Sequence, residues 1–383
     1  MRHGRMRRIL GVGGAVVAIG ALSGSAAQAA PPGTVVAWGD NADGQLGNGT
    51  FSAHITPQAV HDLTDVKQLR GGREHAIALR TNGTVWGWGH NNYGQVGDGT
   101  TTNRNLPVQV AGLTDVKQIS TGHYHSMALK TNGTVWSWGW NHFGQLGDGT
   151  TTNRHLPVRV ADLTNVIQIA GARDHALALR SDGTVWAWGD NEFGNLGNDS
   201  HTQSNVPVRV SGLKNVVAIA GGRDHSLAVK ANGSVWAWGW NRYGQLGDGS
   251  TTNRSVPVRV ALPTTLRIVR VTAGADHSVA LSAAGRVWSW GQNSFGQLGD
   301  GTGVERHRPV RLSSISNIIQ IGTGRLHTLA VSAGGAVWAW GDNDFGQLGD
   351  GSHTDRRAPV RVASITTGEQ VAGGRDYSVA LVG

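Results

Sequence analysis

The 383-residue sequence contains no cysteine, which excludes disulfides and thiolate-ligated metal sites as sources of stability or chemistry. Charged residues make up only 15% of it, against about 25% in an average soluble domain. Methionine, tyrosine and phenylalanine are scarce at 3, 4 and 5 residues, so most of the aromatic bulk must come from another residue. No stretch repeats its apolar residues at the 3.6-residue period of a helix, which argues against helical architectures. What the sequence has in abundance is glycine, 58 residues, about twice the usual share of roughly 7%, and 15 tryptophans. Aliphatic residues, threonine and tryptophan recur between the glycines, a pattern of short strands joined by turns.

The first thirty residues stand apart. Arg2, Arg5, Arg7 and Arg8 precede an apolar run over residues 9–22, and Ala27-Gln28-Ala29 follows as a small-x-small site. This is the pattern of a signal peptide, with cleavage expected after Ala29 and a mature domain over residues 30–383. The apolar run is too short for a membrane anchor, and no second run could span a bilayer. Arg7-Arg8 raises twin-arginine export, but the flanking residues fit the general secretory route better. Removing the four arginines lowers the formal charge from +8 to +4, with 29 Lys and Arg against 25 Asp and Glu. So mild a balance gives no nucleic-acid footprint.

Self-alignment exposes one repeat. Val85-Trp86-Gly87-Trp88-Gly89 is followed by Asn91 and by Gly94-Gln95-Val96-Gly97-Asp98-Gly99-Thr100. The frame returns at Trp136, Trp186, Trp236, Trp288 and Trp338, with a first copy at Trp38, and all the tryptophans fall in these seven copies. The spacing is fifty residues, except for fifty-two where one linker is longer. Around Trp186 the strand candidates are residues 157–160, 166–170, 175–179 and 184–189. Asn-Gly and Asp-Gly pairs such as Asn82-Gly83 and Asp182-Gly183 separate the last two. They predict tight hairpins in which both residues accept positive φ.

Four short antiparallel strands, radially repeated, predict an all-β, seven-bladed β-propeller. Alternation in His175-Ala176-Leu177-Ala178-Leu179 gives each sheet a bulky face and a small one, so blades can stack face to face. The tryptophans therefore read as core between blades. The N-terminal copy has a Trp strand without its preceding strand, and the C-terminal copy lacks its following Trp strand. Pairing the two would complete the seventh blade and close the ring.

His75, His125, His175, His225, His277 and His327 hold one repeat position, with Tyr377 as the seventh. One histidine per blade sits around a ring rather than converging on an ion, so a structural role is expected. The acids before them, such as Asp174 and Asp224, are expected to pair with Arg173, Arg223 and their equivalents. Asp98, Asp148, Asp248, Asp300 and Asp350 lie in glycine-flanked turns; one carboxylate per loop is too few for calcium without neighbouring ligands. Arg104, Arg154, Arg254, Arg306 and Arg356 before the linker prolines, and Arg159 and its equivalents after them, predict an arginine belt. The belt either balances the acidic turns or meets an anionic partner. Departures from uniformity single out Trp140, His142, Trp240 and Arg242. With Arg154 and Arg254 they are the candidate contact residues. No catalytic, metal or cofactor constellation breaks the repeat.

The frame Trp-Gly-x-Asn-x-x-Gly-Gln-Leu-Gly-x-Gly, together with Gly-Gly-Arg-Asp-His-Ser-Leu-Ala-Val at 221–229, resembles the regulator-of-chromosome-condensation repeat family over residues 33–383. The resemblance implies a seven-bladed propeller whose last blade is shared between the termini. Its members include a nuclear nucleotide-exchange factor for a small GTPase that also binds chromatin, a plant ultraviolet-B photoreceptor and a secreted inhibitor of β-lactamase. An exported protein would meet neither nuclear partner, and the tryptophans of the photoreceptor motif Gly-Trp-Arg-His-Thr are absent here. The expected function is a secreted, non-catalytic, monomeric binding scaffold without cofactor. Its partner is an extracellular protein or an anionic cell-envelope polymer, not nucleic acid. The alternatives are an inhibitor of a secreted enzyme and an enzyme with a site in the central channel.

Overall fold

A computed structural model describes residues 33–383; the expected leader, residues 1–29, lies outside the described residues. The described residues form 28 strands arranged as seven four-stranded antiparallel sheets. Blade 1 holds β3 (Val66–Gly71), β4 (His75–Arg80), β5 (Val85–Gly89) and β6 (Arg104–Gln109), ordered from the channel outward. Blades 2 to 6 repeat this plan, with channel-lining strands β7 (Val116–Thr121), β11 (Val166–Gly171), β15 (Val216–Gly221), β19 (Ile268–Ala273) and β23 (Ile318–Thr323).

Blade 7 is built from both ends of the chain. β1 (Thr34–Gly39) lies between β2 (His54–Ala59) and β28 (Tyr377–Val382), and β27 (Gly368–Gly373) lines the channel. β1 pairs with β28 along its whole length, from Thr34 opposite Val382 to Gly39 opposite Tyr377. The expected closure is therefore the observed one, and it leaves no unpaired edge at the seam.

Strand alternation makes the inter-blade core. Met127, Leu129 and Val135 of blade 2 pack against Ala176, Ala178, Trp186 and Trp188 of blade 3. Ala176 lies opposite Trp188 and Ala178 opposite Trp186 in adjacent strands, so each alanine makes room beside an indole. The inner tryptophan of each pair is completely buried and the outer one half-buried. Each inner indole also donates Nε1–H to a carbonyl of the preceding blade, as Trp188 does to Gln145 O at 2.9 Å. Gly147 permits this contact: its φ is +67°, and a Cβ there would sit 2.7 Å from Trp188 Nε1.

Two local expectations need correction. The outermost strand of blade 3's predecessor is not residues 157–160 but β10 (Arg154–Arg159). Pro157 is tolerated inside it because this strand is at the sheet edge, and the pairing slips between Arg154 and Val158. The arginines expected in linkers thus open the outer strands. In the hairpins only glycine takes positive φ, +83° at Gly83. Asn82 stays out of that region and accepts hydrogen bonds from Thr84 N and Thr84 Oγ1 at 3.0 and 2.7 Å. Gly83 N donates to Arg80 O at 3.0 Å, which is an ordinary turn followed by a glycine bulge.

Candidate functional site: the channel mouth

Each channel-lining strand ends in the segment Gly-Gly-Arg-Asp or a variant, before the chain turns back at a buried histidine or, in blade 7, at Tyr377. These segments bond to one another around the ring. Arg73 N donates to His123 O, His123 N to Arg173 O, Arg173 N to Gly222 O and Arg223 N to Gly274 O, at 3.0 to 3.2 Å. Ala275 N to Arg325 O, Arg325 N to Gly374 O and Arg375 N to Arg73 O complete the circle at 2.9 to 3.1 Å. Above this girdle opens a cavity of about 480 Å³ lined by its glycines, by Arg73, Arg173, Arg223, Arg325 and Arg375, and by Trp140.

The girdle's arginines and acids pair, as the sequence suggested, but Glu74, Asp224 and Asp376 are each shared between two arginines. Asp224 lies 3.2 Å from Arg223 Nε and 3.4 Å from Arg173 Nη1, and Glu74 meets both Arg73 and Arg375. The guanidinium groups are part-exposed, whereas Asp174 and Asp224 are each 2% exposed. The mouth therefore shows positive charge to solvent with carboxylates beneath it. Burial pushes the Asp224 carboxyl up to about 7 against the pull of Arg173 and Arg223, and Asp276 up to about 6.

Two blades break the pattern with aromatic groups. In blade 2 the segment reads His123-Tyr124, and Arg73 stacks over the Tyr124 ring at 5.0 Å while donating to its hydroxyl. Tyr124 lies 5.1 Å from Tyr93, which lies 5.8 Å from Trp140. The ring of His142 stacks on Trp140 at 6.0 Å, nearly parallel. Two blades on, Trp240 sits 5.6 Å from Phe193 and 5.7 Å from Tyr243. Arg223 covers the Trp240 ring at 5.3 Å, and Arg242 covers Tyr243 at 5.8 Å. Across the mouth, Asp342, Asp344 and Asp355 bring their carboxylates within 4.8 Å of one another. Blades 2 and 4 thus carry the aromatic groups of this face, and blade 6 the cluster of three carboxylates.

The structure brings Trp140 together with His142, and Trp240 with Arg242, at equivalent places on this face. Arg154 and Arg254 lie elsewhere, at the outer rim, where they bind Asp148 Oδ2 at 2.8 Å and Asp248 Oδ2 at 2.9 Å. Arg104, Arg306 and Arg356 do the same with Asp98, Asp300 and Asp350. This part of the belt balances the acidic turns. Asp148 Oδ1 accepts from Thr150 N and Oγ1, so both carboxylate oxygens are already occupied. Sequence reasoning missed Tyr93, Tyr124 and His123. The available signal was Thr121-Gly122-His123-Tyr124, the one blade in which two aromatic residues stand in the Arg-Asp positions.

The buried histidines are structural links. His75 Nε2 lies 3.0 Å from Ser126 Oγ of the next blade, whose hydroxyl donates to Gln95 O at 2.8 Å. With that proton used, the imidazole must supply the other one, which assigns the Nε2–H tautomer. His175, His225, His277 and His327 repeat the bond with Ser226, Ser278, Thr328 and Ser378, each at 2.9 Å.

Comparison with known proteins agrees with this architecture. The model of an RCC1-like domain matches residues 161–383. Models of the regulator of chromosome condensation (RCC1) repeat match residues 32–79, 82–129 and 132–179, and a second form matches 66–95 and 116–145. Prp20p from Saccharomyces cerevisiae, reported with its binding to Gsp1p and histones, is 24% identical over 92% of both chains, with a TM-score of 0.84. Human WBSCR16 is 26% identical over 91% of this chain and 98% of its own, with a TM-score of 0.83. No curated protein matches the chain. The seven-bladed ring, its shared last blade and the repeat matches along its length place this chain in the RCC1 repeat family.

Proposed function

We propose that this protein is an exported, non-catalytic interaction propeller whose partner surface is the aromatic and arginine-rich side of the channel mouth. One observation carries the reading: in a highly uniform ring, the non-repeating large side chains gather there, with Trp140, His142, Tyr93 and Tyr124 in one cluster. Tryptophan, tyrosine and arginine dominate the energetics of protein interfaces, because each offers large contact area and a directional polar group. Half-buried rings held by neighbours lose little side-chain freedom on binding, so the surface is preorganised. The basic start, apolar run and Ala27-Gln28-Ala29 support export. Likeness to Prp20p, at 24% identity, carries the fold and not its partners.

Affinity capture from the producer's culture fluid and cell envelope tests this reading. A stoichiometric partner retained by the wild type and lost with Trp140→Ser and Trp240→Ser is the expected result. Equal capture by those variants overturns the assignment of the surface. Turnover of a substrate panel, abolished by substitutions in the channel, overturns the non-catalytic reading.

A further inference from the structure

The face opposite the mouth carries the hairpins that join the second and third strands of each blade, and the hairpin of blade 6 is unlike the others. In blades 1 to 4 the turn sets an Asn or Asp against a hydroxyl two residues on. Asn82, Asn132, Asp182 and Asn232 accept from the hydroxyls of Thr84, Thr134, Thr184 and Ser234 at 2.6 to 2.7 Å. In blades 2 to 4 the same hydroxyl accepts the Nε1–H of the outer indole, Trp136, Trp186 or Trp236, at 3.3 Å. Blade 6 has Gly334 and Ala336 at these two positions. Both polar side chains are gone, and a Cβ at Gly334 would meet nothing within 4 Å.

The space they vacate belongs to a cavity of about 460 Å³ beside Trp338, bounded by Ser314 and Ser316 of one linker and Thr366 of the next. Trp338 is half-buried. Among the described residues its Nε1–H has no acceptor, and it is not sealed from solvent as those of Trp86 and Trp288 are. The neighbouring cation has changed as well. Arg80, Lys130, Arg180 and Lys230 lie over the outer indoles of blades 1 to 4. Blade 6 has Ser332 at that position, and Arg361 of the outer strand covers Trp338 instead, at 5.2 Å. Arg361 belongs to the part of the arginine belt that meets no acidic turn. Among the described residues it forms no ion pair, and no carboxylate lines the cavity.

We propose that this pocket binds a polyhydroxylated ring carrying one oxyanion, the chemistry of an acidic sugar. The guanidinium fork of Arg361 matches carboxylate or phosphate oxygens in pairs, and the free Nε1–H of Trp338 is a second donor in the same cavity. Ser314, Ser316 and Thr366 line it with hydroxyls, each able to donate and accept toward the hydroxyls of a ring. The volume falls in the range of small-molecule sites, roughly 300–1,000 Å³, and leaves room for a ring that a bare oxyanion would not fill. The pocket lies on the opposite face from the aromatic mouth, so it stands or falls separately from that surface.

Titration of the full chain with glucuronate, and separately with inositol monophosphate, at an ionic strength fixed with sodium chloride, tests the proposal. Binding is followed at the tryptophan indole N–H resonances, that of Trp338 being the one absent from Trp338→Phe. The expected result is a saturable shift of this resonance by at least one of the two, with affinity at least tenfold weaker for the neutral parent ring and for sulfate. A response to glucuronate alone assigns a carboxylate-bearing ring, and to the phosphate alone a phosphate-bearing one. Arg361→Gln weakens binding at least tenfold. Gly334→Asn combined with Ala336→Thr does the same while melting no lower than the wild type, since it restores the hairpin of blades 1 to 4. Trp140→Ser leaves binding unchanged. No saturable shift with either compound, equal affinity for the neutral ring or for sulfate, or wild-type affinity in the restored hairpin overturns the proposal.

Discussion

His125 occupies the place from which five other histidines reach a hydroxyl in the next blade, but its counterpart is Ala176, and neither ring nitrogen of His125 has a hydrogen-bond partner. Where the counterpart is Ala76, the repeat instead supplies Tyr377, whose longer side chain reaches past it to donate to His75 O. The ring thus has one orphaned imidazole. Ala176→Ser is expected to stabilise the protein by about 1 kcal/mol, the net value of one hydrogen bond. Ser126→Ala, which orphans His75, is expected to cost roughly 1–3 kcal/mol. Urea denaturation of the two variants checks both signs.

Acid should unfold the protein early. Burial lowers His75, His175, His225, His277 and His327 to about 3 and His125 to about 4, while the unfolded chain protonates near 6.5. The unfolded state therefore takes up protons first as the pH falls below 6.5, and stability drops. Asp224, Asp276 and Asp342, raised by burial to about 7, 6 and 6, act in the opposite sense until the unfolded carboxyls protonate near 4. Asp174 and Asp376, also raised by burial, act with them, and the imidazoles, being more numerous, set the sign: stability falls as the pH falls from 6 to 4. Below 4 the slope steepens. Denaturation midpoints at pH 7, 6 and 5 should fall progressively; a flat profile contradicts the buried neutral imidazoles.

The seam should behave as core. Deleting residues 374–383 removes β28 from between β27 and β1, opening two sheet edges and exposing a buried face. Loss of the cooperative transition in calorimetry is expected. An unchanged melting temperature contradicts closure through this strand.

Outer-rim arginines and mouth tryptophans should separate by readout. Arg154 is part-exposed and bound to Asp148, so Arg154→Ala is expected to cost no more than about 1 kcal/mol and to leave partner capture intact. Trp140→Ser should do the reverse, with little change in melting temperature and loss of capture.

The sequence by itself determined the repeat, the four strands it contains, the stacking of bulky faces on small ones and the division of the last blade between the termini. All of these follow from patterns that recur within fifty residues, so strand alternation and turn chemistry are enough to read them. But it grouped residues 157–160 with the Trp186 blade, whereas that strand closes the preceding one. The ends of the outer strands and the form of the hairpin turns escaped, because edge-strand prolines and glycine bulges obey local geometry that residue type alone does not fix. Only the tertiary structure decided what the ring encloses. Trp140 and Tyr124 become neighbours because successive segments are drawn together at the mouth, and Glu74 meets Arg375 because closure brings residues 301 apart in the chain into one ion pair. A repeat specifies how each blade touches the next; the contacts across the seam exist only once the ring is shut.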